Sequence, residues 1–506
     1  MKVIISYPPL DNQKGCPTLG QNRQFQFFKE PTYIYPVVPA TAATLLKKAG
    51  YEVVWNDCLA EGWDHARFLK FIQEQRPDLV VFETKTPVIK QLWRVINDIK
   101  GLPLSHPSVN LKAAPKVALF GDHVTALPEE SFQNSGVDFV LTGGDYDFLL
   151  LNLCNCLNGQ LAISDKRAGL EAGVYYRQDN QIKNTGKFRL GHDLNSLPFI
   201  DRDLTKWHLY AYENGNYKRR PGTYIMSARD CWYHQCTFCS WPTLYPYFRT
   251  RSPVNVLDEI GSLINQYGIR EIMDDSGTLP VEGWLGDFCR GMIERGYSRQ
   301  LKIDCNMRFG ALSLNEYRLM KKAGFRLLLF GLESANQPTL DRLKKGIKVE
   351  EVIEGCRLAT QAGLNPHITI MFGYPWETYQ DALKTLNLGK WLLRKGYAYT
   401  MQATMVIPYP GTPLFEECRQ NNLLKTTDWD EYDMRDTVMQ VMFPQEKVKG
   451  LVQAMYRASF HPEFILRKVC SLRDTDDFRY YLRAIRKVWG HIFDFKHNDS
   501  KAKAAA

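Results

Sequence analysis

Through most of its length the sequence alternates between two hydrophobic periods: short apolar runs of β type give way to longer stretches with helical spacing, repeatedly. Parallel strands joined by right-handed helical crossovers satisfy such alternation, so the pattern restricts the chain to an α/β architecture. From residue 1 to about 157 the strand-like runs are Val3–Ile5, Glu52–Asn56, Leu79–Glu83, Val117–Phe120 and Phe139–Leu141. Helical patterns at Pro39–Ala49, Asp64–Gln75, Val88–Ile99 and Asp145–Leu157 separate or follow them. A doubly wound sheet is expected, with its ligand beyond the carboxyl ends of the strands. Residues 158–220 break the rhythm with polar turns, a small hairpin around Gln178-Asp179-Asn180 and an extended strap at Leu197–Asp201, and read as a linker that packs. The alternation returns from 221 to about 425 in six strand–helix units, which suit a partial (β/α) barrel with reactive groups at the strand ends.

The first of those six strands runs straight into Cys231-Trp-Tyr-His-Gln-Cys236-Thr-Phe-Cys239, three cysteines within nine positions. Three thiolates are one short of the four that fully ligate an iron–sulfur cluster or a structural zinc, so a cluster held here keeps one iron open. The alternative is a zinc loop with His234 as fourth ligand, but no second Cys/His pair at zinc spacing follows. The other strand ends also carry polar or tightly turned residues: Asp274-Asp275, Asn306 with Arg308, Gly331 to Ser334, Gly373 to Glu377, and Pro408 to Pro413. In the first sheet the corresponding ends hold Thr84 and Thr86, Gly121 with His123 and Thr125, and Gly143-Gly144-Asp145.

Composition narrows the setting. A chain of 506 residues with 44% hydrophobic and 24% charged residues can bury two large cores and an appendage. It has no apolar run of roughly 18 residues to cross a membrane and no signal-peptide pattern after Met1, so a cytoplasmic protein is expected. Twelve cysteines without an even framework fit a reducing compartment. The net charge of +9 is dispersed, without an arginine-rich arm, which argues against nucleic acid as partner.

The cysteine loop resembles that of the radical S-adenosylmethionine (radical SAM) superfamily, with four residues between the first two cysteines where the commonest family loop has three. The region around Gly121–Glu130 and Val137–Val140 resembles the cobalamin-binding domain found upstream of many radical SAM barrels. Here the turn reads Gly143-Gly144-Asp145 in place of Gly-x-Gly-Glu, and the Asp-x-His-x-x-Gly motif of cobalt-ligating histidines is absent. The resemblance covers roughly residues 1–425. It implies a Rossmann-like cobalamin domain over 1–157, a linker over 158–220, a radical SAM partial (β/α)6 barrel over 221–425 and a C-terminal helical region over 426–506. It implies three cofactors: a 4Fe-4S cluster on Cys231, Cys236 and Cys239, S-adenosylmethionine and cobalamin. Asp274 and Asp275 fall where the family meets the amino group of S-adenosylmethionine. Arg308 and Glu333 fall near its carboxylate and ribose, and Gly373, Glu377 and the backbone at Ile407 near its adenine. Thr84, Thr86, Gly121, Thr125, Gly143 and Gly144 fall on the cobalamin side. His123 is expected at the corrin edge or in a loop hydrogen bond, and not as a cobalt ligand.

The activity implied is methyl transfer to an unactivated carbon of a small-molecule or lipid-like substrate, with electrons from a donor such as flavodoxin or ferredoxin. A cobalamin-dependent cyclase or rearrangement enzyme uses the same cofactors, and a corrinoid sensor or carrier with a degenerate barrel is a third reading. An RNA-modifying methylthiotransferase would want a second cysteine cluster, which the isolated Cys16 and Cys58 do not supply. Beyond 425, the segments Tyr456–Arg467 and Phe478–Trp489 read as basic, aromatic helices that cap the barrel or meet an amphipathic substrate or membrane surface. Lys501–Ala506 reads as a frayed tail.

Overall fold

The computed structural model describes residues 1–10, 14–18, 27–29, 31–102, 114–159 and 169–494. The tail from Lys501 lies outside them. Two parallel sheets dominate. The first is built from β1 (Lys2–Tyr7), β2 (Glu52–Asp57), β3 (Leu79–Thr84), β4 (Lys116–Gly121) and β5 (Phe139–Leu141). Spatial order is β2-β1-β3-β4-β5, so the chain reverses its winding between β1 and β3 and leaves a crevice there at the strand ends. The hairpin expected in the linker forms as β6 (Val174–Gln178) and β7 (Gln181–Asn184). It continues the first sheet, because β6 pairs antiparallel with β5.

The second sheet holds β8 (Gly222–Ile225), β9 (Glu271–Asp274), β10 (Lys302–Met307), β11 (Phe325–Glu333), β12 (Asn365–Phe372) and β13 (Thr400–Met405), all parallel and in chain order. β8 and β13 are not hydrogen-bonded to each other, so the barrel is open on one side. Its outer helices start and stop on local signals. Ser252 caps Pro253–Tyr267 with a proline in the first turn, and Gly268 ends that helix in the left-handed conformation. Ser313 with Glu316 and Thr378 with Asp381 form reciprocal capping boxes.

Helix Gln445–Arg457 places Val448, Leu451, Val452 and Met455 in the same buried apolar cluster as Ile368, Ile370 and Phe372 of β12. The helix read over Tyr456–Arg467 is in fact two. Pro462 has no amide hydrogen to continue the preceding turns, so the chain leaves Gln445–Arg457 through a 3-10 turn at Ala458–Phe460 and restarts as Pro462–Cys470. A final helix spans Thr475–Asp494. The two halves of the molecule share their cores. Ile4, Val80, Phe82 and Leu119 of the first sheet belong to one buried cluster with Ile407, Leu414, Phe415 and Trp429 from beyond β13.

Candidate active site at the barrel strand ends

The cysteine loop leaves the barrel through a narrow neck in which Ala228–Arg229 pairs antiparallel with Arg249–Thr250. Both neck arginines reach into the first domain. Arg229 Nη1 donates to Asp145 at 2.7 Å and to Asp147 at 3.0 Å, and Arg249 Nη2 donates to Asp145 at 2.6 Å. Asp145, Asp147 and Arg229 are buried, and these neighbouring cations hold the Asp145 carboxyl below the usual carboxylate range although burial opposes it. His192 adds a contact to Asp145 at 3.3 Å and one to Glu171 at 3.1 Å. Those two acids raise its pKa to about 9.

Inside the loop, Asp230 and His234 take left-handed backbone angles, and the Asp230 carboxylate bonds His234 Nδ1. Only glycine at 277 lets the next strand end approach this turn, since a Cβ there would lie 2.5 Å from the Asp230 carbonyl carbon. Cys231 Sγ lies 2.8 Å from Thr278 Oγ1. Cys231, Cys236 and Cys239 form no disulfide and line a single cavity of about 210 Å³ in the mouth of the barrel. Among the described residues no three His, Cys, Asp or Glu side chains are arranged to hold a single metal ion. An iron–sulfur cube takes each thiolate at a different corner, so three cysteines spaced around one cavity suit it better than the tetrahedral zinc alternative, whose candidate His234 is engaged by Asp230.

Strand ends supply the rest of the wall. Arg308 follows β10, and its guanidinium bonds the carbonyl oxygens of Lys345 and Gly346, the latter at 2.8 Å, while lying 3.4 Å from the Tyr233 ring centre. Glu333 ends β11 in a left-handed conformation (φ 60°) and accepts from Lys345 Nζ at 2.7 Å. Burial opposes the Lys345 ammonium, but Glu333 holds its pKa above the ordinary value. A Cβ at residue 331 would overlap the Glu333 carboxylate, so Gly331 makes this pairing possible. Lower in the barrel the cavity meets Asn216, Leu329, His367, Thr369, Met371 and Gln402. His367 Nδ1 is 2.9 Å from Thr400 Oγ1, and burial pushes the imidazole down to about 4.

Of the residues singled out from the sequence, the cavity brings together Cys231, His234, Cys236, Cys239, Asn306, Arg308, Gly331, Glu333 and Ile407. Asp274, Asp275, Gly373 and Glu377 are not among its lining residues. Asp274 Oδ1 accepts from the Ser276 amide at 3.0 Å and its hydroxyl at 2.5 Å, capping the turn after β9. Ser334 donates to Glu377 at 2.6 Å, and Gly373 has φ +96° against the Thr437 methyl. Thr278, Lys345, His367 and Gln402 were not anticipated. Thr278 lies four positions beyond Asp274 and was within reach of a strand-end reading, whereas Lys345 follows a surface helix and carries no local signal.

The first-domain candidates lie outside the cavity. Thr84 donates to the Phe120 carbonyl at 2.9 Å, and Thr125 donates to the Gly121 carbonyl at 2.6 Å while accepting from the Gly143 amide at 3.0 Å. His123 is buried, with Nδ1 3.2 Å from Thr86 Oγ1 and Nε2 3.0 Å from Glu130, an arrangement of loop hydrogen bonding. Gly121 has φ +119°, and a Cβ there would lie 2.6 Å from the Thr84 carbonyl oxygen. Cβ atoms on Gly143 and Gly144 would overlap the rings of Phe188 and Tyr245. At the crevice between β1 and β3 sits a polar group of which Tyr7, Glu83 and Lys85 are buried: Tyr7 bonds Glu83, and Lys85 lies 3.7 Å from Glu83 and 3.5 Å from the half-buried Asp122.

Residues 225–389 match the sequence profile of the Radical SAM superfamily, and the match contains the cysteine loop and the cavity residues of β9 to β12, while those on and after β13 lie beyond it. The chain contains a radical SAM domain. An uncharacterized methyltransferase of Pyrococcus horikoshii is 26% identical to this chain over 494 residues, covering 96% of this chain and 97% of the relative. The anaerobic magnesium-protoporphyrin IX monomethyl ester cyclase of Cereibacter sphaeroides is 26% identical over 423 residues, 81% of this chain and 64% of the relative's length. Among solved structures, the cobalamin-dependent S-adenosylmethionine radical enzyme OxsB, with aqua-cobalamin and S-adenosylmethionine bound, superposes with a TM-score of 0.66 at 14% identity. That likeness covers 96% of this chain and 71% of OxsB, and shows a shared fold.

Proposed function

We propose that this radical SAM protein is a cobalamin-dependent methyltransferase acting on an unactivated carbon of a small molecule. The observation that carries the reading is the opening of Cys231, Cys236 and Cys239 onto one cavity at the strand ends of a barrel that is joined to a doubly wound domain. When bound, the cluster, S-adenosylmethionine and cobalamin supply the electron, the carbon radical and the methyl carrier. The chain's own residues position and enclose. The three thiols would hold the cluster. Arg308 and the Glu333–Lys345 pair present fixed charges to a zwitterionic amino-acid moiety, and their buried pairing keeps these charges oriented. Polar Asn216, His367 and Gln402 beside Leu329 and Met371 give the cavity floor a mixed character suited to a small, partly polar substrate. With its pKa pushed down to about 4, His367 is neutral near pH 7 and offers a hydrogen bond without a charge.

For the corrinoid, topology supports the crevice between β1 and β3, where open α/β sheets bind ligands. The threonines and His123 read for it are hydrogen-bonded within the domain, so their part would be to shape the strand ends. Electron supply by a flavodoxin or ferredoxin belongs to the same reading.

The likeness to a cyclase favours a second reading, ring formation without methyl transfer. Anaerobic incubation of the full chain with methyl-deuterated S-adenosylmethionine, hydroxocobalamin, a reductant and a cell extract separates the two by mass spectrometry. A product heavier by a labelled methyl group supports methyl transfer. 5′-Deoxyadenosine formation with only unlabelled, cyclised product overturns it.

A further inference from the structure

Helix Thr475–Asp494 turns its polar side inward. Asp477 is buried and pairs with Arg219 at 2.8 Å and Lys218 at 2.9 Å, and Arg483 donates to the Tyr217 carbonyl at 3.2 Å. Phe478, Leu482 and Ile485 point the other way, 57, 50 and 51% exposed. Their spacing of four and three residues sets them on one face. An ordinary surface helix buries its apolar stripe and wets its charges. Here the arrangement is reversed.

The preceding helix, Pro462–Cys470, behaves alike. Lys468 faces inward, donating to the Tyr399 carbonyl at 2.6 Å over that residue's ring, while Leu466 is 64% exposed and Val469 is exposed too. Exposed arginines border both stripes: Arg467 follows Leu466, and Arg479 and Arg486 each follow an exposed apolar residue by one position. Acids described near these helices are already paired elsewhere, Glu463 with Arg394, Asp474 with Arg219 and Asp476 with Arg270. The borders therefore carry an excess of positive charge.

We infer that this face docks on an anionic lipid surface. An apolar stripe edged by arginines lies in the plane of a membrane interface, with its side chains among the acyl chains and its guanidinium groups at phosphate level. Among the described residues no helix is long and apolar enough to cross a membrane, which suits attachment at the interface. Since the described acids beside these stripes are already paired, a second copy of this face would set arginine against arginine. The inference is independent of the proposed chemistry in the barrel.

Co-sedimentation of the full chain with phosphatidylglycerol–phosphatidylcholine vesicles, and with phosphatidylcholine alone, tests it. Binding is expected to the anionic vesicles, falling as salt is raised. Each of Arg479→Gln and Arg486→Gln should weaken partition roughly fivefold. The triple variant Phe478→Ser, Leu482→Ser, Ile485→Ser should weaken it by about tenfold or more. These side chains face outward, so the variants should keep the parent's melting temperature; should one fail to fold, the lipid and salt dependence of the parent decides. Equal partition to both vesicle types, absence of binding to either, or undiminished binding by the folded triple variant overturns the inference. So does a dimer in sedimentation velocity that the triple variant dissolves, which would make this face a self-association surface.

Discussion

The two sheets end differently. At the carboxyl ends of the barrel strands, Cys231, Cys236, Cys239, Arg308 and Glu333 turn toward one cavity. At the ends of the first sheet, Thr84, Thr125 and His123 are hydrogen-bonded to neighbours in their own domain, and Gly143, Gly144 and Asp145 are taken up by Phe188, Tyr245, Arg229 and Arg249 of the linker and the barrel. Similar strand–helix patterns thus yield an open set of reactive groups in one half and a closed set in the other. Part of the closed set acts as a latch, and what it latches is the neck of the cysteine loop.

The largest effect should come from emptying the open set. Replacing Cys231, Cys236 and Cys239 together by Ala should abolish iron content and S-adenosylmethionine cleavage, while circular dichroism and melting temperature change little because the thiols face a cavity. Full iron loading of that variant would break the comparison at its strongest point.

Breaking the latch comes next. Arg229→Met leaves Asp147 and Asp145 buried with less compensation, and removing one partner of such a group costs about 3–5 kcal/mol. Denaturant titration should show that loss, and iron loading should fall with it because the loop neck is released. Gly144→Val should cost about 1–3 kcal/mol by the same assay, since its side chain must displace the Tyr245 ring. If Gly144→Val instead leaves stability intact and lowers only cobalamin affinity, this turn serves the ligand and the latch account is wrong there.

The smallest effect is a pH dependence. His192 has a folded pKa raised to about 9, above the ordinary value of 6.5, through its bonds to Asp145 and Glu171. Its contribution to stability is therefore complete below about pH 6.5 and is lost as pH rises through about 9. Stability measured across that window should fall in the parent and fall less steeply in His192→Ala.

Much of this was legible in the sequence where the signal was local. Apolar periodicity located both parallel sheets, and the close spacing of Cys231, Cys236 and Cys239 marked the loop whose three thiols line one cavity. Strand-end polarity also picked out Arg308 and Glu333. What stayed hidden depends on partners far apart in the chain. Asp145 and Arg229 are 84 positions apart, and nothing near Gly143-Gly144 announces that Phe188 and Tyr245 will close over it. Lys345 was missed because a lone lysine after a helix looks like surface charge until Glu333 is seen to fold back onto it. The last helices showed a stripe of aromatics and arginines, but periodicity does not tell which side of a helix faces in; the paired Asp477 and the buried Tyr480 decide that.

The central claim is that the barrel cavity holds a cluster with one iron left open for S-adenosylmethionine. Electron paramagnetic resonance of the anaerobically reconstituted, reduced protein, recorded before and after adding S-adenosylmethionine, addresses it directly. The account predicts a single 4Fe-4S signal whose g-values shift on addition of S-adenosylmethionine and which is absent from the triple cysteine variant. A signal indifferent to S-adenosylmethionine, or one that survives loss of the three cysteines, would contradict it.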